Sequence, residues 1–263
     1  MMRKVEDFYD GSPESEWNRL ERHRTEFAVT RRALKDYLPR PPASILDIGG
    51  GPGRYAIALS KVGYRVTLLD LSNQNLILAG QKADDAGVTL AGLLHGNAVD
   101  LDQIQDSSFE AVLLMGPLYH LIHLDDRLQA LHEARRVLKP AGSIFAAFIS
   151  RYATFRDGAV KYPEEIYTEQ TDWDKLWVDG VNFGPGFTDA YFAMPDEVTP
   201  LMEGAGFTTQ ALLGVEGIVA EHEDTINRLS GPAWEYWVEK NYAFARDPAL
   251  LAAADHLLYI GRR

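Results

Sequence analysis

Cysteine is absent from the 263 residues. That excludes disulfide staples, thiolate metal sites and cysteine nucleophiles, and it fits a reducing compartment. Long apolar runs are missing too: none approaches the roughly 18 residues that a membrane span needs. The opening Met1-Met2-Arg3-Lys4-Val5-Glu6-Asp7 holds no apolar core of a secretory signal. Cations are scarce. Lys and Arg number 26 against 38 Asp and Glu, a net charge of −12. A net negative surface repels phosphate backbones, so nucleic acid is not an expected partner, and neither is a membrane. The densest basic stretch, Arg19 to Arg32, is interrupted by Glu21 and Glu26 and reads as a solvated helix face. No G-x-S-x-G nucleophile elbow occurs. A cytoplasmic protein is expected, as monomer or homodimer. With 46% hydrophobic residues the chain can bury a sizeable core. Its length fits one domain carrying an insertion.

What is present centres on Ser44-Ile45-Leu46-Asp47-Ile48-Gly49-Gly50-Gly51-Pro52-Gly53-Arg54-Tyr55-Ala56. A short apolar run breaks into glycines and then opens a helical pattern at Tyr55, Ile57, Ala58, Leu59 and Val62. That is strand, tight loop, helix. Glycines allow positive φ and let a ligand lie against the backbone. The helix start behind them offers unpaired N–H groups to an anion. Gly51, Gly53 and Ala56 satisfy a relaxed dinucleotide fingerprint. Gly49, Gly51 and Gly53, with Asp47 ahead of them, fit G-x-G-x-G instead, and that version resembles the first motif of the class I S-adenosylmethionine-dependent methyltransferases. Both readings stay open on the loop alone.

Arg65 to Asp70 reads as a buried second strand ending in an acid. A carboxylate there can accept from both ribose hydroxyls of an adenosine, a device shared by both cofactor classes. An N-cap is the other role open to Asp70, although Ser72 or Asn73 caps the next helix better. Helix Gln74 to Ala86 and a third strand, Val88 to Leu94, lead to Gly96-Asn97-Ala98. Many methyltransferases of the class carry Gly-Asp-Ala here, with the acid near the adenine amino group. The amide oxygen of Asn97 can still accept from an amine. A fourth strand, Phe109 to Met115, runs into Gly116-Pro117-Leu118-Tyr119-His120. A helix from about Asp126 to Leu138, Lys139-Pro140-Ala141-Gly142 and strand Ser143 to Ile149 resemble a late motif of the same family. The resemblance covers roughly Ser44 to Ile149. It implies a Rossmann-like α/β fold: a doubly wound, seven-stranded, mostly parallel sheet whose antiparallel last strand, His256 to Ile260, lies at the sheet edge.

The remaining chain divides as follows. Residues 1–40 form a helical lid, with one helix from about Glu14 to Tyr37, and 41–150 form the cofactor-binding core. Residues 151–195 are an aromatic-rich cap insertion that includes Phe187, and 196–263 complete the core with inserted helices. The resemblance places S-adenosylmethionine, and its product S-adenosylhomocysteine, at Asp47, Gly49, Gly51, Gly53, Asp70, Leu71, Asn97, Ala98 and Met115. Methyl transfer needs alignment and sometimes a base. An imidazole ordinarily titrates near neutral pH, which makes His120 the candidate base, with Tyr119 orienting the acceptor or packing on the cofactor; a hydrogen-bonded structural histidine is the other reading. Tyr9, Trp17 and Arg151 are candidates for the acceptor pocket. Arg151 and Arg156 can grip an anionic acceptor or pair with Asp157, Glu164 and Glu165. His120, His123, Asp125 and Asp126 lack the ligand spacing of a metal site, so no metal is expected. The expected activity is methylation of a small-molecule acceptor. A nicotinamide-dependent oxidoreductase and a non-catalytic adenosine-ligand-binding protein remain alternatives.

Overall fold

The computed structural model describes residues 2–183 and 188–263, with side chains from residue 4 onward. Phe187 lies outside the described residues. Three helices open the chain: α1 (Met2–Asp10), α2 (Pro13–Arg22) and α3 (Arg24–Tyr37). Then come β1 (Ser44–Ile48), α4 (Arg54–Ser60), β2 (Arg65–Asp70), α5 (Asn73–Asp85), β3 (Gly92–His95), β4 (Phe109–Leu114), α6 (Leu124–Val137) and β5 (Leu138–Ser150). The insertion supplies α7 (Arg151–Lys161), α8 (Pro163–Thr168), α9 (Gln170–Asp179) and a hairpin of β6 (Val181–Asn182) and β7 (Ala190–Ala193). The chain ends with α10 (Pro195–Gly204), β8 (Thr208–Gly214), α11 (Glu223–Ile226), α12 (Gly231–Phe244) and β9 (His256–Arg262).

Strands β3, β2, β1, β4 and β5 pair in that order, all parallel. Strand β9 pairs antiparallel with β5 on one side and with β8 on the other. These seven strands are the expected sheet. The two further strands are the insertion's hairpin, which extends the carboxyl end of β5 through Ile149 and Ser150. The last strand is antiparallel as expected, but it is not the edge: β8 is. The reason is pairing: β8 bonds the side of β9 away from β5, from Thr208 opposite Arg262 to Gly214 opposite Leu257. Leu257, Leu258, Tyr259 and Ile260 are all buried, so both faces of β9 are covered as well.

Helices cover the two faces of the sheet and divide the core. One cluster gathers Leu46, Ile48, Val112, Leu114 and Ile144 with Leu131 and Val137 of α6. The other gathers Ile45, Leu68, Leu113 and Phe145 with Val29 and Leu34 of α3 and Leu76 of α5. Local chemistry explains α5: Ser72 Oγ accepts the Asn75 N–H at 3.1 Å, the expected cap.

The N-terminal region departs from the single helix expected over Glu14 to Tyr37. The chain turns at His23 (φ −103°, ψ 60°). No breaker residue stands there. Long-range ties replace it: His23 Nδ1 lies 2.7 Å from Glu223 Oε2, and the Arg24 guanidinium sits 4.1 Å above the Trp234 ring. Strand β3 also begins later than expected, at Gly92, because Ala91 and not Val88 is the first residue whose N–H reaches β2, at Val66 O. Among the described residues, no helix is long and apolar enough to cross a membrane.

Candidate active site

The chain enters β2 on one side of β1 and returns to β4 on the other. Such a reversal leaves a crevice beyond the strand ends, where open α/β sheets bind ligands. Here the crevice has two lobes of ≈ 660 and ≈ 440 Å³. They share Gly49, Gly51, Gly116, Tyr119 and Glu16 as a common wall.

Glycines make that wall possible. Gly49 has φ +66°, and a Cβ on it would lie 2.6 Å from Pro117 Cγ; a Cβ on Gly116 would lie 2.8 Å from Gly49 O. The β1 and β4 loops therefore interlock backbone to backbone. Gly51 has φ +56° but faces space: its Cβ would meet nothing nearer than Glu16 Cγ at 3.5 Å. Gly53, expected to contact the cofactor, does not line either lobe. Its φ of +84° starts α4, and a Cβ there would press on Ala79 Cβ of α5 at 3.3 Å. Its role is helix packing.

Asp70 stands at the end of β2. Its Oδ2 accepts the Gly51 N–H at 2.7 Å, and its Oδ1 accepts from Ser72 N at 2.9 Å and Asn75 Nδ2 at 3.3 Å. Burial raises its carboxyl pKa, against the pull of those hydrogen bonds. A carboxylate offers about four lone-pair positions, so capacity remains for a ligand hydroxyl. Asp47 is buried, and its Oδ2 has no partner in the protein. Burial first, and the Asp70 charge second, push its carboxyl up to about 7. Asp47 lines the smaller lobe with Met115, Arg19 and Arg54. Leu71, Asn97 and Ala98 line the larger one. Asn97 Oδ1 is already engaged, accepting Val99 N–H at 3.2 Å, so only its second lone pair can serve the expected amine contact.

His120 lies where three segments meet. Its Nε2 is 2.8 Å from the Tyr9 hydroxyl of α1, and its Nδ1 is 2.8 Å from Thr188 Oγ1 of the insertion. The Tyr119 ring packs at 4.7 Å between centroids. Burial pushes the imidazole pKa down to about 4, so the ring is neutral at pH 7. Lys4 pairs with Asp189 at 2.6 Å, and Asp10 Oδ1 accepts from Ser72 Oγ at 2.5 Å. Helix α1 is thus clamped across the larger lobe.

Two acceptor-pocket candidates are not in the crevice. Trp17 lines neither lobe; its ring carries the Arg54 guanidinium at 4.2 Å and Lys82 Nζ at 5.1 Å, fastening α2 to α4 and α5. Arg151 is buried and fully engaged. It donates to Phe192 O and Trp177 O, both at 3.0 Å, and to Glu197 Oε2 at 2.8 Å. Arg156 pairs with Glu221 and Asp255. Neither arginine uses Asp157, Glu164 or Glu165, and neither lines a lobe. Four of the insertion's aromatics meet one another: Phe155 touches Trp173 and Trp177, and Tyr152 touches Trp177. Among the described residues, no aromatic of residues 151–195 lines a lobe. His123 is exposed at the start of α6. The described residues whose ligand atoms cluster are instead Glu26, Glu216 and His256, where Arg19 holds Glu26 and Glu216 holds His256.

Sequence reasoning missed Glu16, Arg19, Asn75 and Thr188. Asn75 alone had a local signal, three residues after its cap Ser72. The others reach the crevice only through tertiary packing.

Comparison with known proteins agrees with this geometry. Residues 46–146 match a family described as "Methyltransferase domain". The demethylmenaquinone methyltransferase of Staphylococcus aureus is 38% identical over 202 residues, covering 72% of this chain and 78% of that one. That of Bacillus subtilis is 35% identical over 105 residues, and the match spans 43% of its length. In structure, a SAM-dependent methyltransferase of Methanosarcina mazei superposes with a TM-score of 0.60 at 18% identity, over 88% of this chain and 96% of its own. A possible histamine N-methyltransferase of Thermotoga maritima gives 0.58 at 20% identity, over 100% and 99%.

Proposed function

The chain belongs to the class I S-adenosylmethionine-dependent methyltransferase family, and from that premise we propose that it methylates a small aromatic acceptor bearing an ionisable hydroxyl. S-adenosylmethionine supplies a methyl group already activated on a positively charged sulfur. The residues present fit it. Asp70 has capacity for one ribose hydroxyl. Leu71 and Ala98 offer apolar walls for a base. The unpartnered Asp47 Oδ2 suits an ammonium.

The observation that carries the acceptor assignment is His120, neutral and wedged between Tyr9 and Tyr119 in a lobe walled by Val5, Leu69 and Leu121. A neutral imidazole can take a hydroxyl proton; a phenolate or hydroquinone anion is nucleophilic, whereas the parent hydroxyl is weakly so. A proton on His120 replaces the positive charge that the reaction removes at sulfur. Total charge in the crevice is then unchanged, which offsets the burial that disfavours imidazolium. The names of the relatives support a small ring compound as acceptor, since they name a demethylated menaquinone.

The test is transfer of a labelled methyl group to a panel of phenols, catechols and reduced naphthoquinones, against amines and carboxylates. Aromatic hydroxyl compounds are expected to become methylated. His120→Asn, which keeps a polar side chain but cannot act as base, should lower kcat by roughly 10²-fold or more while S-adenosylhomocysteine binds as before. Transfer only to amines or carboxylates, or an undiminished His120→Asn enzyme, contradicts the assignment.

A further inference from the structure

Thr188 and Asp189 lie in the insertion just before β7, and both are buried. Thr188 Oγ1 donates to the Asp189 carbonyl oxygen at 3.2 Å and lies 2.8 Å from His120 Nδ1. A hydroxyl has one proton to give and lone pairs to receive. With its proton committed to the carbonyl, Thr188 Oγ1 can only accept from Nδ1. The Asp189 backbone acts on the ring as well, in the direction that favours a protonated nitrogen. Neutral imidazole carries a single N–H. A proton on Nδ1 therefore leaves Nε2 as the basic lone pair, and Nε2 is the atom that meets Tyr9, which lines the larger lobe together with His120.

We propose that Thr188 is a positioning residue for methyl transfer: its hydroxyl, anchored on the Asp189 carbonyl, holds His120 in the Nδ1–H tautomer and so aims the basic Nε2 at the acceptor through the Tyr9 hydroxyl. This rests on His120 serving as the base. Tyr9 lines the same lobe as His120 and its hydroxyl bonds Nε2, which places it to relay a proton. The acceptor O–H bond breaks as its proton passes to Tyr9 Oη, while the Tyr9 proton forms the new N–H bond at Nε2. The electron pair left on the acceptor makes the bond to the methyl carbon, and the carbon–sulfur pair stays with sulfur. His120 ends as imidazolium with both nitrogens bonded.

The base then exists as such only where two covering segments meet. Helix α1 brings Tyr9, the insertion brings Thr188, and the Lys4–Asp189 pair at 2.6 Å joins them. Among the described residues, the titratable groups around the ring include Tyr9, Tyr119 and Asp189 with its partner Lys4. Thr188 had no signal in sequence. It is a lone threonine some seventy residues from the histidine it orients.

Nitrogen NMR of the ¹⁵N-labelled imidazole reads the tautomer directly in the free protein at neutral pH. The expected spectrum shows the proton on Nδ1. Thr188→Val keeps the shape and removes the hydroxyl; it should admit the Nε2–H form and lower kcat about tenfold or more, with KM and S-adenosylhomocysteine affinity unmoved. Thr188→Ser should restore both tautomer and rate. A wild-type proton on Nε2, or a Thr188→Val protein with wild-type tautomer and kcat, overturns the proposal. Full activity of His120→Asn overturns the underlying base reading instead, and the spectrum separates the two failures.

Discussion

Asp47 shows most plainly how a proposed binding role and stability pull a single residue in opposite directions. Its carboxyl is buried beside the Asp70 carboxylate, and its Oδ2 has no partner. The folded pKa of about 7 lies above the value in the unfolded chain. The fold therefore favours the protonated form. That contribution is whole below about pH 4 and is lost as pH rises through about 7. Asp47→Asn, which removes the charge and keeps the shape, is accordingly expected to raise the melting temperature at pH 8 and change it little at pH 4. The same variant should weaken S-adenosylmethionine binding. Melts showing equal destabilisation at both pH values would mean that Asp47 is not held as a costly buried acid. Asp47, Gly49, Gly51 and Asp70 were all legible from sequence, because loop and acid spacing is local information. Arg151 was not. Nothing near it in sequence announces Phe192 O and Glu197 as its partners, and an arginine at a strand end looks the same whether it grips a ligand or a helix.

Helices α2 and α3 are joined to β9 by a buried ionic network. Arg19 donates to both oxygens of Glu26, at 2.7 and 3.1 Å, and His256 Nδ1 bonds Glu216 Oε1 while standing 3.9 Å from Glu26. Burial alone would raise Glu26, but Arg19 and His256 outweigh it and hold the carboxyl at about 2. Burial alone would lower His256, but Glu216 and Glu26 raise it to about 9. The signs differ. The Glu26 contribution is present above its unfolded pKa and disappears as pH falls toward 2. The His256 contribution is present below its unfolded pKa of about 6.5 and disappears as pH rises through 9. Both are complete between roughly pH 5 and 6. His256→Gln should therefore cost more stability at pH 6 than at pH 10, measured by urea unfolding; equal losses would remove charge from the account. Elements with their own local chemistry, such as α5 behind Ser72, were readable in advance. The break at His23 and the interior place of β9 were not, because the first depends on Glu223 and Trp234 and the second on which strand covers it.

At the scale of the whole molecule, the sheet places the β1, β2, β3 and β4 loops around one crevice, and α1 and the insertion meet over it at His120. Gly96-Asn97-Ala98 and an antiparallel final strand are expected of the methyltransferase reading and not of the oxidoreductase one, and β9 is that antiparallel strand. The net charge of −12 suits a cationic cofactor and a neutral acceptor better than an anionic one. Everything proposed for the chemistry depends on the crevice taking up the cofactor through Asp70. Calorimetric titration of S-adenosylhomocysteine into the wild-type protein and Asp70→Ala tests that most directly. Charge-assisted hydrogen bonds contribute about 1.5–3 kcal/mol, so the wild type should bind one equivalent and a folded Asp70→Ala should bind roughly 10- to 100-fold more weakly. No saturable binding to the wild type, or an unchanged affinity in the folded variant, would contradict the account.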